Sequence, residues 1–194
     1  GVAMVITLLA PLRKIFGLEA YLTVKHFDAM AKLCLFTSLV VLYAYLSEFF
    51  LAWYSGEDPE RHAFWNRLFG TYWWATWTML VCNGFVPVML WFKRVRHSIP
   101  ALFVISIFIN IGMWFERYVI VVTSLHNEYE PFAWGIYRPS VIEMSIMVGS
   151  FFWFGFWFLL FTRLLPPIAI QELKEVLPPP MRKKKSSEVA EAHQ

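Results

Sequence analysis

The run at residues 99–125, IPALFVISIFINIGMWFERYVIVVTSL, is long and apolar enough to cross a bilayer as a helix, yet it carries Glu116 and Arg117 in its interior. Translocon-type scales put the cost of such residues at roughly 2.5–3.5 kcal/mol each at mid-membrane, so they persist where they meet partners or do chemistry inside a helix bundle. Because the two are adjacent, their side chains diverge by about 100° around the helix, and each must look to another helix for a partner. The remaining spans are the places to look.

Reading outward from this run gives an all-α membrane protein, an antiparallel bundle of four full spans plus an N-terminal partial span. Residues 1–12 form an apolar run without a signal-peptide pattern and are expected to be the end of a transmembrane helix cut from a longer chain. Residues 13–29 are too charged for hydrocarbon and suit a partly helical interfacial connection. The bundle region, 30–165, holds spans at 30–54, 71–92, 99–125 and 140–165. A loop is expected at 55–70, a tight basic connection at KRVRHSIP, and an acidic, aromatic docking loop at HNEYEPFAWGIYRPS. Residues 166–194 read as a tail, a short surface helix and then an extended arm.

Within the spans, polar residues fall on stripes at helical spacing. Ser38, Tyr45 and Glu48 share one stripe, Thr76, Asn83 and Pro87 a second, and Ser106, Asn110, Met113 and Arg117 a third, with Gly112 and Glu116 adjoining it. In the last span Glu143, Met147 and Ser150 do the same. Pro87, with Gly84 before it, should loosen its helix, whereas Pro100 stands in a first turn where its missing N–H costs nothing. Pro139 and Ser140 read as a helix start.

Lys and Arg gather at alternate ends of the apolar runs: Arg13, Lys14, Lys25 and Lys32, then Lys93, Arg94 and Arg96, then Arg163 and the RKKK run. The positive-inside rule makes that side, and the C-terminus, cytoplasmic. At about 1.5 Å of rise per residue, Glu48, Glu116, Arg117 and Glu143 then fall in the outer half of the membrane, and a single polar cluster open to the outer face is expected. Glu48, Glu116 and Glu143 are the candidate proton carriers of that cluster, Arg117 its charge-pair or ligand-pocket residue. Asp28, near the inner entrance, is a further proton-transfer candidate. The plainer reading is a staple in which Arg117 pairs with Glu48 or Glu143, and for Glu143 a dipole-favoured acid in a first turn.

Several classes are excluded. With 58% hydrophobic and 16% charged residues the chain reads as a membrane protein, and its net charge of +3 forms no nucleic-acid-binding stripe, so nucleic acid is not an expected partner. Cys34 and Cys82 lie in spans without CxxC spacing and read as packing residues. The five histidines sit at ends, loops or tail, so no haem is expected in this chain, and the absence of metal-ligand spacing gives no expectation of a metal. No phosphate loop or Ser/His/Asp set appears.

The stretch GMWFERYVIVVTSLHNEYEPFAWGIYRPS resembles the C-terminal part of the NrfD/PsrC-type integral membrane subunits, most closely the ActC subunits of bacterial alternative complex III; WFERY and YRPS carry the resemblance. It implies a subunit of about ten spans that holds no cofactor itself. Its substrate would be a quinol, menaquinol or ubiquinol, bound near the periplasmic face of the bacterial inner membrane. Electrons would pass to iron–sulfur clusters and c-type haems in an iron–sulfur subunit and multihaem cytochrome c subunits docked outside. Membrane lipid, a homologous membrane subunit and a terminal oxidase complete the implied partners. Glu116 and Arg117 match the family's charged pair on this helix, while the family's His and Asp for quinone belong to an N-terminal bundle outside this sequence. The expected function is therefore quinol binding and oxidation with proton transfer. The alternatives are a proton-translocating or transporter-type bundle, which broken helices would favour, and a structural anchor for redox subunits.

Overall fold

The computed structural model describes residues 1–126 and 137–165. Most of the expected docking loop, and all of the tail from residue 166, lie outside the described residues. The chain divides into two compact units, Gly1–Arg138 and Pro139–Gln194, each described by itself.

In the first unit α1 (Val2–Ile15) ends on Arg13 and Lys14, which suit the negative end of a helix dipole. Left-handed Gly17 (φ 63°) and a 3-10 turn, Leu18–Ala20, lead into α2 (Val24–Tyr54), and Arg13 Nε donates to the Leu22 carbonyl at 2.7 Å across this connection. Helix α2 contains the expected first span and starts earlier, because the Asp28–Lys32 pair at 2.7 Å supports its opening turns. A second left-handed glycine, Gly56 (φ 71°), turns the chain into α3 (Asp58–Phe69). Residues 55–70 are thus largely helix where a loop was expected. Their polar composition hid a sound helix pattern, with a proline, Asp58 and Glu60 in the first turn and Arg67 in the last.

The expected second span is a helical run of changing pitch. It comprises α4 (Trp73–Leu80), a π turn Val81–Phe85, α5 (Val86–Val88) and a 3-10 turn Met89–Trp91. Pro87 is the cause: it has no N–H for the carbonyl four residues back, that of Asn83, and its ring crowds that turn. The basic connection follows as one-turn α6 (Lys93–Arg96), and then α7 (Ile99–His126) with Pro100 in its first turn. Asp28 near the start of α2 accepts from Arg96 just before α7, and Tyr45 further along α2 bonds to Glu116 further along α7. Helices α2 and α7 therefore run the same way.

The second unit contains α8 (Val141–Leu164). Ser140 caps it as the sequence indicated: Ser140 Oγ accepts from Glu143 N at 3.3 Å and Glu143 Oε2 accepts from Ser140 N at 2.9 Å, a complete capping box.

Every regular element among the described residues is helical, and α2, α7 over Ile99–Thr123, and α8 are long and apolar enough to cross a membrane. The remaining expected span is the broken run. Outward-facing Phe36, Tyr43, Leu46 and Phe50 of α2 and Val104 and Phe108 of α7 are exposed, as a lipid-facing surface requires. Between such helices apolar burial gains little over lipid, so close packing at small residues matters more. Ala31 and Ala75, both 0% exposed, occupy such crossings. Two apolar clusters result. One joins Ile6, Phe27, Leu35, Leu102 and Ile105; the other joins Tyr45, Ala75, Met79 and Val119. The polar side chains lie between and beside them.

Candidate functional site

Asn83 sits inside the π turn, and the extra residue there turns its amide between α2 and α7. Gly112 of α7 makes this possible, since a Cβ at that position would stand 2.2 Å from Asn83 Oδ1 and 2.6 Å from Cys82 Cβ. From there Asn83 Nδ2 donates to the Tyr45 hydroxyl at 3.1 Å and to Glu116 Oε2 at 3.3 Å. The Tyr45 hydroxyl donates to the same Glu116 oxygen in a short hydrogen bond. Three helical segments thus meet at one carboxyl group. Tyr45 and Asn83 are buried and Glu116 is half-buried.

A second polar group lies about two to three turns back along α7. Thr7 Oγ1 and Ser106 Oγ share a hydrogen bond of 2.8 Å, and Asn110 Nδ2 donates to Thr7 Oγ1 at 2.9 Å. At the far end of the unit Asp28 accepts from Lys32 at 2.7 Å and Arg96 at 2.9 Å, while Arg96 also donates to the Leu90 and Trp91 carbonyls at 3.1 and 3.2 Å. That arrangement ties α6 and the loosened end of the broken run to α2. Asp28 is held as a structural ion pair there.

The single cluster expected from depth is not what forms in the first unit. Glu48, one turn beyond Tyr45, reaches out to Arg67 of α3 at 3.2 Å and is 53% exposed. Arg117 is exposed and makes no ion pair among the described residues, because it follows Glu116 around the helix and so points away from the bundle when Glu116 points in. The expected staple between Arg117 and Glu48 is replaced by Glu48–Arg67. Glu143 belongs to the second unit, where it completes the α8 cap.

Glu116 therefore keeps its place, but its partners are neutral. Tyr45 and Asn83 appeared on the polar stripes of their helices without being singled out. The available signal was Asn83 itself, a side chain rich in donors standing four residues before a mid-helix proline. Chemically, two donors converge on Oε2, which leaves the carboxyl free to take or release a proton at Oε1 without losing its anchoring bonds. Among the described residues no three His, Cys, Asp or Glu side chains are placed to hold a metal ion. Around this end Trp73, Trp74 and Trp77 are partly exposed, and Trp114 stacks on Tyr118 at 5.7 Å, an aromatic girdle of the kind found at membrane interfaces.

The sequence profile of the family described as "Polysulphide reductase, NrfD" matches residues 1–127. No curated protein matches the chain.

Proposed function

Because the chain belongs to the NrfD family of membrane proteins, we propose that it is the membrane subunit of a respiratory quinol:electron-acceptor oxidoreductase of the alternative complex III type, an ActC-like subunit, in which Glu116 accepts a proton from quinol. Oxidation of a quinol to its quinone releases two electrons and two protons, so the site needs a proton acceptor beside the reacting hydroxyl. The observation that carries the reading is the convergence of Tyr45 and Asn83 on one oxygen of Glu116, deep enough to be sheltered and shallow enough to be half-exposed.

In this reading menaquinol or ubiquinol approaches near the periplasmic side of a bacterial inner membrane, with the C-terminus cytoplasmic. Electrons leave to the iron–sulfur clusters and c-type haems of an iron–sulfur subunit and multihaem cytochrome c subunits, beside a homologous membrane subunit and a terminal oxidase. Arg117, exposed one residue on, faces the quinol headgroup or a partner subunit. Glu48, exposed and paired with Arg67, lies nearer the aqueous boundary and carries protons outward, Asp28 is the acid at the opposite end, and Glu143 is a further proton-transfer candidate on the second unit.

The test is Glu116→Gln in the assembled complex. Glutamine keeps an oxygen for Tyr45 and Asn83 but cannot accept the proton, so quinol:cytochrome c turnover should fall by about a hundredfold while the complex still assembles. Unchanged turnover would overturn the proposal. A second reading, a proton-translocating bundle without quinol oxidation, is favoured by the broken run at Val81–Phe85. It expects the same variant to stop proton translocation and spare quinol oxidation.

A further inference from the structure

Helix α3 folds back along the last turns of α2. Ser55 Oγ donates to Glu60 Oε2 at 3.0 Å beside the Gly56 corner, Phe49 meets Phe64 edge-on at 5.4 Å, and Arg67 reaches Glu48 at 3.2 Å. Between the two helices lies a partly open groove of about 770 Å³, within the range of about 300–1,000 Å³ usual for ligand sites. Its character changes along its length. Beside the corner it is lined by Asp58, Arg61 and His62 from the first turns of α3. Further along, its walls are Phe49 of α2 and Trp65 and Leu68 of α3, with Trp53 between the two regions. Trp53 and Trp65 are 70% and 66% exposed, as bare as the lipid-facing residues of α2. At about 1.5 Å of rise per residue, the 31 residues of α2 measure about 46 Å, against a hydrocarbon core of about 30 Å. The last turns of α2 therefore stand among lipid headgroups, and the groove offers charge at that level and apolar carbon further in.

We propose that this groove holds one phospholipid of the phosphatidylethanolamine class, with its phosphate on Arg61, its ammonium group at Asp58 and an acyl chain along Phe49, Trp65 and Leu68. Arg61 makes no ion pair among the described residues, and a guanidinium donates two parallel N–H bonds to a phosphate. His62, next along the helix, supplies a ring N–H for the same anion. The corner selects the headgroup by charge. Glu57, Asp58 and Glu60 surround the one guanidinium, so a purely anionic headgroup meets net negative charge, whereas a zwitterion finds a partner for each of its charges. A primary ammonium also donates hydrogen bonds to Asp58, which a choline headgroup cannot do, and the indole rings of Trp53 and Trp65 attract the same cation. The lipid site is independent of the quinol chemistry proposed for Glu116.

Photo-crosslinking of the full chain tests it, in phosphatidylcholine vesicles containing a small fraction of phosphatidylethanolamine with a diazirine in its acyl chain. Peptide mapping should find residues 49–68 labelled well above the outward face of α2 at Leu33, Phe36 and Val40, which annular lipid touches. Unlabelled phosphatidylethanolamine should compete, and phosphatidylglycerol at the same concentration should not. Arg61→Gln, at an exposed position, should cut labelling of residues 49–68 by about tenfold and leave that at Phe36 unchanged. Asp58→Asn should let phosphatidylglycerol compete as well as phosphatidylethanolamine. Labelling of residues 49–68 equal to that at Phe36, or unmoved by Arg61→Gln, would show annular lipid only and overturn the site. An unlabelled groove would show that protein covers it and overturn it equally. Competition by phosphatidylglycerol in the wild type, or a preference that survives Asp58→Asn, would overturn the headgroup assignment.

Discussion

Gly112→Ala is the substitution that best separates a built site from incidental packing. In an ordinary helix interior alanine is favoured over glycine by about 1 kcal/mol. Here the added methyl would lie 2.2 Å from Asn83 Oδ1 and 2.6 Å from Cys82 Cβ, where ordinary contact begins at 3.4 Å. The Cys82 neighbour cannot swing away, since its Cβ is fixed to the backbone of the π turn, so α7 and the turn must part. Overpacking of this kind costs about 1–3 kcal/mol. Parting also stretches the two bonds from Asn83 Nδ2, each worth about 0.5–1.5 kcal/mol. Set against the propensity gain, the net loss is about 1–5 kcal/mol. Thermal unfolding of the lipid-reconstituted protein reads it, with Gly149→Ala as the internal control because a Cβ there meets nothing within 4 Å. Gly112→Ala should melt well below the wild type and Gly149→Ala at or above it. A Gly112→Ala protein as stable as the control would refute the close approach that positions Asn83.

At the opposite end, Arg96→Leu removes one of the two partners that Asp28 has in Lys32 and Arg96, together with the donor for two carbonyls of the broken run, and should cost about 1.5–3 kcal/mol by the same unfolding assay. Lys32→Ala, at a side chain 59% exposed, should cost less than about 1 kcal/mol. Arg117→Leu should lower quinol:cytochrome c turnover with assembly and melting temperature unchanged, since Arg117 holds no ion pair among the described residues that the substitution could break; wild-type turnover in an assembled complex would remove Arg117 from the site.

The sequence made the apolar helices legible because hydropathy and length leave few choices for α2, α7 and α8. Caps and breaks were equally plain: Ser140 with Glu143 completes a capping box, and Pro87 breaks its helix where proline chemistry says it must. Stripe periodicity also held for Thr76, Asn83 and Ser106, all buried, and Cys34 and Cys82 are buried as packing residues should be. Depth along a helix, by contrast, did not determine partners. Glu48 and Glu116 lie within one turn of each other in expected height, yet Glu48 turns to Arg67 on α3, a helix whose polarity had disguised it as a loop. Matching height says nothing about azimuth. The π turn shifts azimuth further by inserting a residue, which brings Asn83 to Glu116, and no count of i, i+4 spacings along a regular helix could show that in advance.

Redox-difference infrared spectroscopy of the intact complex tests the central claim most directly. If Glu116 takes the quinol proton, turnover should produce a protonated-carboxyl C=O band that shifts in heavy water, moves when Tyr45→Phe removes one hydrogen-bond donor, and disappears in Glu116→Gln. The same band surviving intact in Glu116→Gln would place the proton on another group and contradict the account.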